Sequence, residues 1–245
     1  MKHAKPPRHP TVKVVLVAFV VSIVLFGAVF STGLWRDYRQ AEDPAETDAA
    51  LGRVYTVAVF FRKTVDELSG AALLTIDTRQ MCITVHGFSP QTEVGDRPLQ
   101  EQYRVGSLYA ATQLAENCDA VLSFSVSNVA AFLVYTQERL TLTLPEQVDI
   151  LPAGECTLTP MQVADVLRYE QWSTGERGRA DIHAQVMAAI LNRYWVDERD
   201  LEQDFKELTA LCDERLHISQ FEAVKDELYT VAKHNDGHIA QTESD

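Results

Sequence analysis

Histidine and serine side chains are the first candidates for chemistry, but their spacing fits no familiar catalytic arrangement. His86 and Ser89 lie close together in the chain, yet the Gly-x-Ser-x-Gly pattern of a nucleophile elbow is missing around Ser89. His234 and His238 could bind a metal ion, although an ordinary polar terminus explains them more simply. His183 falls within a helical pattern, where we expect a partly exposed residue rather than a base. A catalytic triad is therefore not expected.

Net charge narrows the classes of partner. The chain has 245 residues, of which 46% are hydrophobic and 23% charged, as is typical of one globular domain with attachments. The net charge is −13, and all 35 acidic residues follow residue 36, whereas four basic residues precede residue 14. Such a negative field repels the phosphate backbone. We therefore expect no nucleic-acid partner.

An uncharged apolar run near the start predicts a membrane anchor. Residues 14–35 approach the roughly 20 apolar residues that cross a bilayer. The basic tail, 1–13, precedes them and the acidic stalk, 36–53, follows, so the tail should be cytoplasmic and the rest extracytoplasmic. A cleaved signal peptide is the alternative, but the run is long for one and lacks an A-x-A site. The predicted localisation is the cell membrane, with a single pass.

Four cysteines follow the predicted anchor, in a compartment where disulfides are chemically possible. Their positions have neither the CxxC spacing nor another metal-binding spacing. Two disulfides, with three pairings open, and isolated thiols both remain consistent with the sequence. The four are Cys82, Cys118, Cys156 and Cys212.

Alternating strand and helix signals after the stalk predict a single extracytoplasmic α/β domain with a central mixed sheet flanked by helices. Leu140, Leu142 and Leu144 alternate with polar residues, as in a half-buried strand. Thr159, with Gln162 three residues on, forms a capping box ahead of a helix. We place the domain at 54–233 and a flexible tail at 234–245. Strands are predicted at 54–60, 71–77, 80–86, 120–126 and 139–144, a hairpin through Thr78-Arg79, and helices at 99–116, after 159, at 182–195, near 201–208 and after Ser219.

The segment 151–195 resembles the LytR-CpsA-Psr family, also called the cell envelope-related transcriptional attenuator domain. Members combine a short cytoplasmic tail, one membrane helix and an extracellular α/β domain. The resemblance covers roughly 54–233, and this sequence would be a divergent member. Matching positions are Ala153-Gly154, Leu158, Gln162-Val163-Ala164, Leu167-Arg168, Gly175 and Arg179, with Leu73–Asp77, Phe88-Ser89-Pro90, Tyr103 and Gly106 upstream.

Family members transfer a phospho-glycopolymer from undecaprenyl diphosphate to peptidoglycan, holding the pyrophosphate with arginines and with Mg²⁺ on aspartate. The resemblance therefore implies phosphate binding by Arg168 and Arg179, and a Mg²⁺ ligand at Glu176; Arg177, an extra basic residue beside Arg179, is a third candidate for phosphate binding because it could supply part of the lost charge. Guanidinium groups suit phosphate oxygens. The alternative is an ordinary surface network in which Arg168 pairs with Glu170 or Glu176.

Most of the other charged site residues are replaced, so the resemblance assigns no catalytic residue. The replacements are Ser69 for an aspartate before the second strand, Gln91 and Thr92 for an Arg-Asp pair, Glu170 for an arginine, and Ile182 and His183 for an Arg-Gln pair. Each charged phosphate contact that is lost removes roughly 1.5–3 kcal/mol.

Two functions follow from this resemblance. The replacements favour a catalytically degenerate protein of the bacterial cell envelope that binds a polyprenyl-phosphate lipid or scaffolds envelope assembly with other envelope proteins. An active phosphotransferase moving a cell-wall glycopolymer is the alternative. The only cofactor implied is Mg²⁺.

Overall fold

The computed structural model describes the chain from residue 53 to 196, except residue 117, and a smaller set of residues after that. The later described positions are 207, 210–216, 224, 227, 231 and 240–241. The predicted membrane segment 14–35, the cytoplasmic tail and nearly all of the stalk lie outside the described residues, as does most of the chain after 196. None of the helices that the structure describes is long and apolar enough to cross a membrane.

Ten strands and five helices can be delimited within the described part of the chain. The strands are β1 (Val54–Arg62), β2 (Leu68–Asp77), β3 (Cys82–Phe88), β4 (Glu93–Val94), β5 (Arg97–Pro98), β6 (Ala120–Ser125), β7 (Leu140–Leu144), β8 (Gly154–Leu158), β9 (Glu214–Leu216) and β10 (Ala240–Gln241). The helices are α1 (Leu99–Val105), α2 (Ser107–Leu114), α3 (Val126–Tyr135), α4 (Pro160–Arg168) and α5 (Glu176–Val196).

Six strands form a mixed sheet in the order β10-β3-β2-β1-β6-β9. β2 runs antiparallel to β1 and to β3, which confirms the predicted hairpin. β6 lies parallel to β1, with Val57 opposite Ala120. Ala240–Gln241, within the segment predicted as a tail, pairs in parallel with β3. The predicted α/β fold with a central mixed sheet is confirmed.

Helices cover both faces of the sheet because the side chains of β1 alternate between them. Phe61 packs with residues of α3, α4 and α5 and of the β7–β8 hairpin, in one large apolar cluster. Phe60 points to the other face, where it packs with Leu99 and Tyr103 of α1 and with Ala110 of α2. A strand buried on both faces explains why the β1 sequence is apolar almost without interruption.

Two sequence predictions differ from the structure. The predicted helix 99–116 is two helices, α1 and α2, because Gly106 between them has extended rather than helical dihedral angles. The predicted strand 120–126 ends at Ser125, whose side chain accepts a hydrogen bond from the Asn128 amide and starts α3. α3 was not predicted, because its apolar residues follow directly on those of the strand β6 and no polar turn marks the boundary.

Close contact between α5 and the sheet depends on two glycines. A Cβ atom on Gly87 of β3 would lie 1.9 Å from the carbonyl oxygen of Ala180, and one on Gly70 of β2 would lie 2.7 Å from the His183 ring. Both neighbours belong to α5. The missing side chains therefore let the first half of α5 lie directly against β2 and β3.

Candidate functional site

The candidate site lies where α4 ends and α5 begins. α4 starts with the predicted capping box, in which Thr159 accepts from the Gln162 amide and the Gln162 side chain accepts from the Thr159 amide, and it ends at Arg168. The chain then turns through Gly175, whose φ of 64° favours glycine, into the first turn of α5. These two helices and the loop between them carry the site residues that the family resemblance implied in this segment, Arg168, Glu176 and Arg179.

Arg179 is a buried cation at this junction. Its Nε donates to the carbonyl oxygen of Ser69 at 2.9 Å, and its Nη2 lies 3.7 Å from Glu170 Oε1. Burial lowers the pKa of Arg179, while the carboxylates of Glu176 and Glu67 oppose that shift. Because a guanidinium ordinarily loses its proton only in strongly basic solution, the group stays charged at neutral pH. Arg179 is thus a fixed positive charge, facing a carboxylate.

Lys63 is a second cation in the same place, and the sequence did not indicate it. It follows β1 and forms an ion pair with Glu170, while Glu67 lies 3.9 Å from its Nζ. Burial lowers the pKa of Lys63, and so does the positive charge of Arg179, whereas Glu67 and Glu176 raise it. Only tertiary structure brings residue 63 beside residue 170, so no local spacing could have revealed the pair.

Two of the replaced positions hold a neutral, buried pair: Ser69 stands where the resemblance implied an aspartate, and His183 stands where it implied the glutamine of an Arg-Gln pair. Ser69 and His183 are both inaccessible to solvent. His183 Nδ1 lies 2.7 Å from the carbonyl oxygen of Arg179, and His183 Nε2 lies 3.2 Å from Ser69 Oγ. The single hydroxyl hydrogen of Ser69 is donated to the carbonyl oxygen of Leu167. The expectation that His183 is partly exposed is wrong, because this face of α5 packs against Gly70.

Burial lowers the pKa of His183 to about 4, with Arg179 and Lys63 contributing in the same direction and the Arg179 carbonyl opposing them. The imidazole is therefore neutral at pH 7. Since the carbonyl oxygen of Arg179 can only accept, Nδ1 carries the hydrogen and Nε2 carries the lone pair. No charge from this pair is available to a metal ion or to a phosphate group.

The three arginines predicted to bind phosphate are not equivalent. Arg168 is exposed and donates to Ser127 Oγ of α3 at 2.7 Å, a surface contact with a different partner from the Glu170 or Glu176 of the alternative interpretation. Arg177 is exposed on the first turn of α5. Arg179 alone is buried against the sheet. Glu170 lies in the loop after α4 and pairs with Lys63 and Arg179.

The remaining replaced positions also lack charge. Ser89 is buried, and its amide donates to Thr92 Oγ1 at 3.0 Å, so the turn that holds Gln91 and Thr92 is closed by its own hydrogen bonds. Gln91 is exposed. This turn supplies no guanidinium or carboxylate to the site.

The residues present do not fit the Mg²⁺ that the resemblance implied. Magnesium prefers carboxylate oxygens, whereas Ser69 offers a hydroxyl and Glu170 is engaged by two cations. Within the described part of the chain, no group of three His, Cys, Asp or Glu side chains is placed to hold a metal ion. Glu176 is exposed and stands apart from any such group. All four cysteines are free thiols.

Comparisons with known proteins place this fold. No protein-family model matches the sequence, and no curated protein matches it. Solved structures do match. A candidate transcription regulator from Eubacterium siraeum has a TM-score of 0.63 and 14% identity, with 77% of this chain and 81% of that chain covered. A LytR-Csp2A-Psr enzyme from Actinomyces oris has a TM-score of 0.54 and 14% identity, over 78% and 80%.

TagV from Bacillus subtilis has the same TM-score of 0.54 at 11% identity, over 77% of this chain and 83% of that one. These likenesses extend over most of each chain, at identities too low to carry function. The domain therefore has the LytR-CpsA-Psr fold, and the resemblance predicted from the sequence is confirmed at the level of the fold.

Proposed function

We propose that this protein is a divergent LytR-CpsA-Psr-like protein of the bacterial cell envelope that binds a polyprenyl-phosphate lipid without catalysing phosphoryl transfer. The observation that carries the proposal is the Ser69–His183 pair. In this pair Ser69 replaces a metal-binding aspartate, and His183 replaces, together with the buried Ile182, the Arg-Gln pair that the resemblance implied. Phosphoryl transfer depends on positioning and on neutralising charge in the transition state. A site without those charges should bind far better than it catalyses.

Lipid binding is supported by the two cations that remain. Arg179 and Lys63 both lie at the junction of α4 and α5, on the residues that correspond to the family site or beside them. A guanidinium and an ammonium group together can hold phosphate oxygens. They supply an anchor for a headgroup, although not the metal-assisted site of a transferase.

The place of action follows from the N-terminal sequence. The apolar residues 14–35, the basic tail before them and the acidic stalk after them support a single-pass anchor with the domain outside the cytoplasm. A domain at that position can reach lipid-linked precursors at the outer surface of the membrane. Cell-wall glycopolymer and other envelope proteins are the further partners that this position allows.

The test uses the full chain, purified in detergent, with undecaprenyl diphosphate-linked saccharide, peptidoglycan and Mg²⁺. Lipid at 100 times its Kd should stabilise the folded state by about 2.7 kcal/mol, visible as several degrees in Tm. No glycopolymer should reach the peptidoglycan. Arg179→Ala should abolish the shift, whereas Arg177→Ala, which removes an exposed arginine two residues away, should leave it intact.

Transfer of saccharide to peptidoglycan would establish the alternative, an active phosphotransferase rebuilt around Arg168, Glu176 and Arg179. That alternative is supported by one observation, the retention of a buried Arg179 facing a carboxylate. Absence of any Tm shift at saturating lipid would contradict both lipid-binding functions. The domain would then be treated as a scaffold for envelope proteins.

A further inference from the structure

The cations of the site converge on a carboxylate that belongs to the chain itself. Glu170 Oε1 is the shared partner of Lys63 Nζ and Arg179 Nη2. We infer that Glu170 occupies a preformed anion site between Lys63 and Arg179, and that a phosphate group displaces its carboxylate on binding. The inference rests on the proposed function and deepens it, because it names Lys63 as a phosphate-binding residue and Glu170 as an internal competitor.

The three partners differ in how far their side chains are exposed to solvent. The side chains of Lys63 and Arg179 are 12% and 8% exposed, whereas that of Glu170 is 54% exposed. The two cations are therefore held in place by their surroundings, while the carboxylate can turn into water. Arg179 is fixed further by its hydrogen bond to the Ser69 carbonyl. An anion that takes the place of Glu170 meets cations already positioned for it.

The energetic balance favours exchange over an empty site. The Glu170 side chain is already half exposed, so its carboxylate regains its hydration easily when it turns into water. Leaving two partly desolvated cations without an anion is far less favourable. A phosphate group corrects this imbalance, because it has more charge than a carboxylate and offers three acceptor oxygens.

Two other carboxylates act on the same cations, but neither has this geometry. Glu67 lies 3.9 Å from Lys63 Nζ, and its side chain is 51% exposed. Glu176 influences the charges of Lys63 and Arg179 from the first turn of α5. Of these three described carboxylates, only Glu170 forms ion pairs with both cations. Glu67 therefore provides a matched control of equal charge and nearly equal exposure.

The experiment measures the Kd of inorganic pyrophosphate for the full chain by calorimetry at fixed ionic strength. Glu170→Gln removes the competing charge while keeping the side-chain shape, and should tighten binding about tenfold. Glu67→Gln should tighten it by no more than about twofold, because Glu67 contacts only Lys63, at 3.9 Å, and does not lie between the two cations. Lys63→Met should weaken binding about tenfold or more relative to the unaltered chain. The Lys63 variant keeps Arg179, whose contact with Ser69 supports the fold.

Equal effects of the two glutamine variants would overturn the inference, since that result shows a general charge effect. Unchanged binding in Lys63→Met would overturn it as well. Farnesyl diphosphate in a parallel titration separates this site from the proposed function. Tighter binding of farnesyl diphosphate than of pyrophosphate supports a lipid ligand. Equal binding of the two, with the same responses to the variants, supports the anion site while contradicting a specific lipid.

Discussion

His183 shows how one residue changes the character of the site. Its ring lies between Ser69, the Arg179 carbonyl and the Phe61 ring, whose centroid is 5.2 Å away, and it faces the charges of Arg179 and Lys63. Protonation would add a third positive charge to a buried region that already contains two. The surroundings therefore keep the imidazole neutral, so the Ser69–His183 pair brings no charge to this region.

We expect this pair to make the stability of the domain sensitive to pH. The pKa of His183 is about 4 in the folded protein and about 6.5 in the unfolded chain. Between these values the unfolded chain binds the additional proton, so the free energy of unfolding falls as the pH is lowered from 6.5 to 4. This residue alone should account for about 3 kcal/mol.

Denaturant titrations at pH 7 and pH 4.5 measure the effect. His183→Gln keeps a donor for the Arg179 carbonyl but cannot be protonated, so its stability should fall less over this range. The carboxylates contribute equally to both chains, and the difference isolates His183. Parallel pH profiles for the two chains would show that His183 is protonated in the folded state.

The position of the site depends on how closely the helix α5 packs against the sheet. Gly87 and Gly70 permit the close approach that brings Arg179 and His183 to β2. The sequence predicted the strand β3 and the helix from 182 to 195. It did not predict that α5 starts at Glu176, nor that these glycines face it.

Gly87→Ala should therefore destabilise the domain strongly. The new methyl group would overlap the carbonyl oxygen of Ala180, a backbone atom that cannot rotate away. We expect a loss of about 3 kcal/mol in the free energy of unfolding, measured by denaturant titration. Thr84→Ser, which alters a half-buried residue on the opposite face of β3, should cost less than about 1 kcal/mol. A Gly87 variant as stable as this control would contradict the described contact.

The Asp213 side chain connects segments of the domain that are far apart in the sequence. Its Oδ2 accepts from Arg62 Nη2 at 2.7 Å and from the Ser125 amide at 2.6 Å, and its Oδ1 accepts from Asn128 Nδ2 at 3.2 Å. Arg62 is buried at the end of β1. One carboxylate thus ties the chain around β9 to two parallel strands and to the start of α3.

Asp213→Ala should cost about 3 kcal/mol, because it leaves the buried Arg62 guanidinium without its anion. Thermal unfolding of the full chain measures the loss. Asp96→Ala serves as the control, since Asp96 forms an exposed pair with Arg97, at 3.8 Å, and should change stability by less than about 0.5 kcal/mol. Similar melting temperatures for both variants would show that Asp213 does not hold the C-terminal part in place.

Local patterns in the sequence were enough to predict several strands and helices of this protein. The alternation of Leu140, Leu142 and Leu144 and the capping box at Thr159 each depend on neighbours within a few residues, and the structure confirms both. The order of short motifs along 54–233 identified the fold, because it resembles the LytR-CpsA-Psr family. The membrane anchor at 14–35 and the domain limits stay predictions, since most of those residues lie outside the described part of the chain.

Only the tertiary structure decided which charges meet. Lys63 lies far from Glu170 in the sequence, and Arg62 far from Asp213, yet each pair forms an ion pair. Ser69 and His183 are 114 residues apart. The physical reason is that periodicity and capping arise within one turn or one strand pair. Desolvation and ion pairing depend instead on which elements pack together, and no local spacing encodes that.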